Sequence, residues 1–224
     1  MRRSRAVIAS YGGVVVFAAV IFIAAGRLDF GPGLLYLALA LVGTTLTHLL
    51  EPRGSGVLEA RIEDVRGGEA WDRNLLRLSA LVTFAMFAVG GLDAGRFGWS
   101  GPFPTALTVA GVALMVVGQG LYAVARRQNA YFSSVVRIQA ERGHAVCDTG
   151  LYGVVRHPGY LGMLGLILAF PLVVQSYWAF APATASTGLL IVRTVREDRF
   201  LHANLPGYAA YAGRTRWRLV PGIF

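Results

Sequence analysis

The chain has 224 residues, of which 55% are hydrophobic and 15% charged, and a formal net charge of +9. That balance excludes an ordinary soluble domain and suits a single integral membrane domain spanning 1–224. Every one of the 21 basic residues is arginine, whose planar fork suits carboxylates and anionic head groups. Cys147 is the only cysteine, which excludes an intramolecular disulfide and a cysteine metal cluster; it reads as a reduced bystander. The four histidines never pair at metal-ligand spacing, so no metal is expected.

In chain order, residues 6–26 are uncharged and predict a first membrane helix. MRRSR before an apolar run resembles a signal peptide, but the run exceeds the usual 7–15 residues, so an uncleaved helix is the reading. Residues 30–50 predict a second crossing. Residues 55–70 alternate Val57, Leu58, Ile62 and Val65 with charges and read as a helix lying on the surface. Residues 75–92 carry only Arg77, near one end where it can snorkel, and residues 104–125 are uncharged.

The last apolar run, Pro158 to Val192, is too long for one crossing. As a straight helix it would reach roughly 50 Å against a bilayer core of about 30 Å. It must fold back, with Pro171, Gln175-Ser176 and Pro182 as the break, giving arms over 158–174 and 177–193. The fold class is therefore all-α: a polytopic helical bundle of about six crossings, with a C-terminal hairpin and a cytoplasmic helical tail.

Arginine placement sets the orientation. With the N-terminus inside, only Arg27 and Arg96 fall outside; the remaining arginines are cytoplasmic, as are both termini. This accounts for the basic charge without nucleic acid.

Three cytoplasmic stretches carry candidate chemistry. The first is Asp148 to Tyr160, which includes Tyr152; Pro158 suits a helix start and puts Arg156 and His157 at its entrance, an anion-attracting position, with Tyr160 in the first turn. The second runs from Arg193 to Phe200, with Arg193 and Glu197 four apart on one helix face. The third holds Leu205-Pro206-Gly207-Tyr208 and Tyr211, then Arg214 to Gly222. The hairpin returns all three to one side, and a polar cluster of this density at a membrane is a functional-site signal. Gly118-Gln119-Gly120 matches a dinucleotide fingerprint by letters but follows no strand, so it is set aside. His48 and Glu51, at the inner end of the second helix, read as interface residues or a substrate entrance.

Arg156-His157-Pro158-Gly159-Tyr160 resembles the RHPxY motif of the isoprenylcysteine carboxyl methyltransferase and phospholipid methyltransferase group. Arg193 and Glu197, Leu205-Pro206-Gly207-Tyr208, Tyr211 and Arg218-Leu219-Val220-Pro221 are similar to its C-terminal pattern, and Tyr131 to Gln139 to the segment before the motif in bacterial members. The resemblance covers about 115–224, the catalytic half; the first 110 residues carry no specific match. It implies an S-adenosylmethionine-dependent methyltransferase acting on a lipid-like or prenylated acceptor, in a bacterial inner membrane. It implies Tyr152, Arg156, His157, Tyr160, Tyr208 and Tyr211 around the cofactor, Glu197 on its amino group and Arg193 on an acidic acceptor.

Two other readings stay open. Some sterol reductases share an RHPxY-like turn, which keeps an NADPH-dependent membrane reductase in view. A lipid-binding or transport protein is the non-enzymatic reading, disfavoured by uncharged helix interiors and the lack of a repeat. Neither the acceptor group nor the oligomeric state is legible.

Overall fold

A computed structural model describes residues 2–50 and 68–224. The helix expected over 55–70 lies, up to residue 67, outside the described residues, as does Glu51. Helix α1 is Arg2–Ala25, α2 is Gly31–Leu50 and α3 is Ala70–Gly90, which continues as a π-helical segment, Gly91–Phe97. Helix α4 is Thr105–Gln128; two short 3-10 turns follow, Ala140–Arg142 and Gly150–Gly153. Helix α5 is Pro158–Val173, α6 is Phe180–Asn204 and α7 is Tyr208–Arg214.

Four spans, Val7–Ala25, Gly31–Leu50, Ala70–Phe97 and Thr105–Gln128, are long and apolar enough to cross a membrane. Their outward side chains are apolar: Ile8, Ile23, Leu49 and Leu81 are more than half exposed. In a soluble protein such a surface would drive aggregation; in a bilayer it is the solvated surface. The chain is thus an all-helical integral membrane bundle.

Its interior is aromatic where helices α1, α2, α3 and α5 meet. Phe87 stacks on Phe170 with ring centroids 4.3 Å apart, and Tyr36 lies edge-on to both. Helices α4 and α5 pack backbone to backbone. A Cβ on Gly118 would fall 2.9 Å from the Gly162 carbonyl, and one on Gly162 would fall 2.7 Å from that of Gly118. Small residues at a membrane helix contact allow this approach. The glycines that mimic a nucleotide fingerprint therefore include one that serves helix packing.

The C-terminal hairpin is present with different arms from those expected. Helix α5 has 16 residues, about 24 Å at 1.5 Å per residue, short of a bilayer core of about 30 Å. The second arm begins at Phe180 and runs to Asn204, well past residue 193. Its apolar part ends at Val192, where the arginines and acids begin. Pro182 sits in the first turn of α6, where its missing N–H is harmless, and so does not break the chain. The break is narrower and is held by polar contacts: Gln175 adopts φ 63°, and Ser176 is fully buried.

Ser176 donates its hydroxyl to Asp93 Oδ2 at 2.6 Å. Asp93, fully buried in the π-helical segment, also accepts from the Ser100 N–H at 2.7 Å and from the Ser100 hydroxyl. Ser100 Oγ in turn accepts from the Tyr177 N–H at 2.8 Å. The hairpin tip is thus tied to the connection between α3 and α4, at the end of the bundle that also carries Arg96 beside Gly26.

Candidate active site

At the opposite end, the tail folds back over the entrance of α5. Val155 and Trp217 form a parallel bridge. The Arg156 N–H donates to the Trp217 carbonyl and the His157 N–H to the Arg218 carbonyl, both at 2.9 Å. Pro158 at the first helical position leaves no backbone donor there to satisfy. This short pairing fixes His157 and Tyr160 relative to α6 and the tail.

The organising group is Asp198, 1% exposed, on α6. Its carboxylate accepts from Arg156 Nε at 2.7 Å and Nη2 at 3.0 Å. It also accepts from Arg218 Nε at 2.9 Å and the Tyr208 hydroxyl at 3.0 Å. His157 Nε2 stands 3.5 Å from it. Burial alone would raise the pKa of Asp198, but the nearby His157 and the hydrogen bonds from Arg156 and Arg218 outweigh it and hold the carboxyl well below the usual carboxylate range. Burial, and then the charge of Asp198, push the Tyr208 phenol upward, so it stays a neutral donor. One acid thereby links the RHPGY segment, α6, α7 and the tail.

Glu197, the next residue, takes a different role. It lines a cavity and accepts a short hydrogen bond from the Tyr160 hydroxyl. Its other oxygen lies 3.8 Å from His157 Nδ1. The His157 and Tyr160 rings lie nearly parallel, 10° apart with centroids at 5.7 Å. Gly159 between them permits Phe132 to lie against the helix start, since a Cβ there would sit 2.6 Å from that ring.

The cavity has about 790 Å³ of empty space, open mouth included. Tyr152, Arg156, His157, Tyr160, Glu197, Tyr208 and Tyr211 all belong to its wall. The Tyr211 hydroxyl donates to the Tyr152 carbonyl at 2.7 Å, and the Tyr152 hydroxyl to the Ala125 carbonyl at 3.3 Å. Burial raises both phenols, which keeps these walls neutral.

The seven residues therefore converge, but not all present their charge to the space. Arg156 turns its guanidinium to Asp198 and to the carbonyls of Thr215 and Arg216, at 2.8 and 2.9 Å. It clamps the tail from the cavity wall.

Arg193 departs further from the expected aim at an acceptor. Its guanidinium is paired with Asp72 through Nε at 2.7 Å and Nη2 at 3.1 Å, and Nη2 also reaches the Ser134 carbonyl at 2.8 Å. It lies over the Tyr160 ring at 5.3 Å, behind the cavity wall. Asp72, fully buried at the start of α3, also accepts from the Val136 N–H at 2.8 Å. The pair joins α3, α6 and the segment 134–136.

Sequence reasoning passed over Asp198 and Asp72, and the wall made by Asn129, Phe132 and residues 144–147. Within that wall His144 stacks on Tyr131 at 4.5 Å, and its Nδ1 accepts from the Gln139 N–H at 3.2 Å. Burial, then Arg137 and Arg142, lower its proton affinity. Cys147 also faces the cavity, half-buried, and burial pushes its thiol up and away from reactivity.

Fold and site together define a membrane protein whose cavity opens at one end of a helical bundle. Residues 111–203, which supply most of that cavity, match the model of the isoprenylcysteine carboxyl methyltransferase (ICMT) family. That segment is similar to the ICMT family. Among curated proteins, none matches the chain.

Proposed function

We propose that the chain is an S-adenosylmethionine-dependent methyltransferase that modifies a lipid-like acceptor at the cytoplasmic face of the membrane. The observation that carries this reading is the cavity in which Glu197, Tyr160 and His157 meet under tyrosine walls. Those residues fit the cofactor's chemistry. A carboxylate suits its amino group, and aromatic faces suit its sulfonium.

When bound, S-adenosylmethionine supplies a methyl carbon on a positive sulfur: the acceptor's lone pair forms the new bond to carbon, and the carbon–sulfur pair returns to sulfur as a neutral thioether. The protein's part is alignment to roughly 3–3.5 Å and exclusion of water. Tyr160 holds Glu197 by its hydroxyl, and Asp198 holds Arg156, Arg218 and Tyr208 so that the tail closes the cavity. A carboxylate acceptor, ionised near neutral pH, needs no base. An amine or thiol acceptor does, and Glu197 and His157 are the bases in reach.

The cytoplasmic orientation rests on the arginine distribution, since only Arg27 and Arg96 sit at the hairpin-tip end under this topology. The reductase reading has no comparable support, because the family match falls on a methyltransferase.

Radiolabelled methyl transfer from S-adenosylmethionine into membrane lipids and prenyl-cysteine analogues tests the reading. Glu197→Gln is expected to lose roughly ten- to several-hundred-fold in rate, the cost of a charge-assisted contact in a dry site. Its melting temperature should stay near wild type. Absence of transfer to every acceptor, or a Glu197→Gln rate equal to wild type, contradicts the assignment.

A further inference from the structure

On the outer side of α6 a shallow groove is lined by Trp71, Arg196, Arg199 and Phe200. Helix periodicity explains how it arises. Val192 is 42% exposed, and Arg196 and Arg199, four and seven residues on, continue its face and are exposed. Arg193, Thr194 and Asp198 turn the other way and are buried. On α3, Leu78 is 47% exposed, and Trp71 lies seven residues before it on the same face. Both helices thus pass from lipid-facing side chains into the groove within two turns. At 1.5 Å per residue the groove lies roughly 6–10 Å beyond the apolar edge, the depth of the head-group layer.

Two observations mark the groove as a binding site. The first is uncompensated charge. Arg156, Arg193 and Arg218 each meet a buried carboxylate. Among the described residues, neither Arg196 nor Arg199 has an ion-pair or hydrogen-bond partner. The acids beside them are engaged elsewhere: Asp72 with Arg193, Glu197 with Tyr160 and Asp198 with Arg156. The second is pre-arrangement. The Arg196 guanidinium lies over the Trp71 ring at 5.7 Å. A cation held over a ring keeps its N–H donors for another partner. The Trp71 indole N–H also has no hydrogen-bond partner among the described residues. Two guanidiniums and an indole N–H at head-group depth suit a phosphate monoanion.

We propose that this groove binds the phosphate of an acidic phospholipid from the surrounding leaflet, its head held by Arg196 and Arg199 and its chains lying along Leu78 and Val192. The lipid is a bound neighbour of the bundle and not a substrate, since the body of α6 separates it from the cavity. The proposal does not depend on what the cavity takes. The lipid acts as a brace. Trp71 adjoins Asp72, and Arg196 follows Arg193 by about one turn. A head group bridging Trp71 and Arg196 therefore fastens from outside the junction of α3 and α6 that the Arg193–Asp72 pair closes from within.

The test is native mass spectrometry of the full-length protein, delipidated in detergent and titrated with dioleoyl phosphatidylglycerol or dioleoyl phosphatidylcholine. Thermal unfolding is followed on the same samples. Phosphatidylglycerol is expected to fill one site at least tenfold more tightly than phosphatidylcholine and to raise the melting temperature. Arg196→Gln combined with Arg199→Gln should lose about tenfold in phosphatidylglycerol affinity, and the rise with it, while phosphatidylcholine binding is unchanged. Trp71→Phe, which keeps a ring under Arg196 and removes the N–H, should lose severalfold. Arg127→Gln, at an exposed arginine on the same end of the bundle, should change nothing.

Equal affinity for the two lipids overturns the proposal. So does a loss in Arg127→Gln as large as in the double variant, which would show general attraction to a positive surface. Displacement of phosphatidylglycerol by millimolar inorganic phosphate overturns it as well, leaving a soluble-anion site. The two-lipid comparison needs no variant, so it decides even where a substitution perturbs the fold.

Discussion

Asp198 and Asp72 show how one buried carboxylate sets the form of a site. Each is within 1% of full burial, and each is stabilised by an arginine fork from a distant part of the chain. Removing one member of such a pair leaves the other charged and dry, at a cost of about 3–5 kcal/mol. Arg193→Ala and Asp72→Ala are therefore each expected to lower stability by about that much, with the double variant losing far less than the sum. Denaturation in mild detergent checks this. An Arg193→Ala protein that keeps its stability while losing acceptor use would restore Arg193 to the acceptor.

Asp198 also predicts a pH dependence. Its carboxyl is held below the ordinary value, so its stabilisation is complete above about pH 3.9 and is lost as pH falls below that. Wild-type melting temperature should drop with acid in that window, and Asp198→Asn should show a flatter profile from a lower start. Identical profiles would remove Asp198 as the hub.

Glu197 was readable from its helix face beside Arg193 and from the family pattern. Asp198 carried a weaker signal: an acid in an arginine-rich chain with only 12 acidic residues. That it gathers Arg156 from 42 positions away and Arg218 from the tail is a tertiary fact, invisible to local spacing. The pairing of Arg193 was hidden for the same reason, because its partner Asp72 lies 121 positions away.

At the scale of elements, the apolar runs alone located α1 to α4 and showed that residues 158–192 must fold back. They left the hairpin's edges open, because hydropathy marks where lipid contact ends and not where the helix ends. Helix α6 continues beyond Val192 into solvent-compatible residues because its inner face still buries Arg193, Thr194 and Asp198. The loop wall at 129–147 has no periodicity to read and takes its shape from hydrogen bonds such as Gln139 Nε2 to the Tyr131 carbonyl at 2.7 Å.

The hairpin tip offers a topological prediction. Ser176 is buried against Asp93 and is a poor labelling site, whereas Trp178 is 59% exposed. In a Cys147→Ser background, Trp178→Cys should react with a membrane-impermeant maleimide only from the face opposite the termini. Labelling from the cytoplasmic face alone would overturn the arginine-based topology.

At the scale of the molecule, the hairpin gathers the site. Its tip is fastened to the connection between α3 and α4, and its two open ends carry His157 and Glu197 to one cavity. The bundle supplies a lipid-facing surface and, between α1, α2, α4 and α5, a second space reaching toward that cavity. Composition made the membrane class of this molecule legible; the edge-to-face contact of Tyr122 and Phe132 depends on how the irregular chain after Gln128 turns back on its helix.

The central claim, that the cavity under the tail receives S-adenosylmethionine, is tested most directly by equilibrium binding to the purified full-length protein, with NADPH as the competitor hypothesis. Calorimetry should show saturable S-adenosylmethionine binding that falls at least tenfold in Glu197→Gln, with no heat from NADPH. Saturable NADPH binding with none for S-adenosylmethionine would contradict the account.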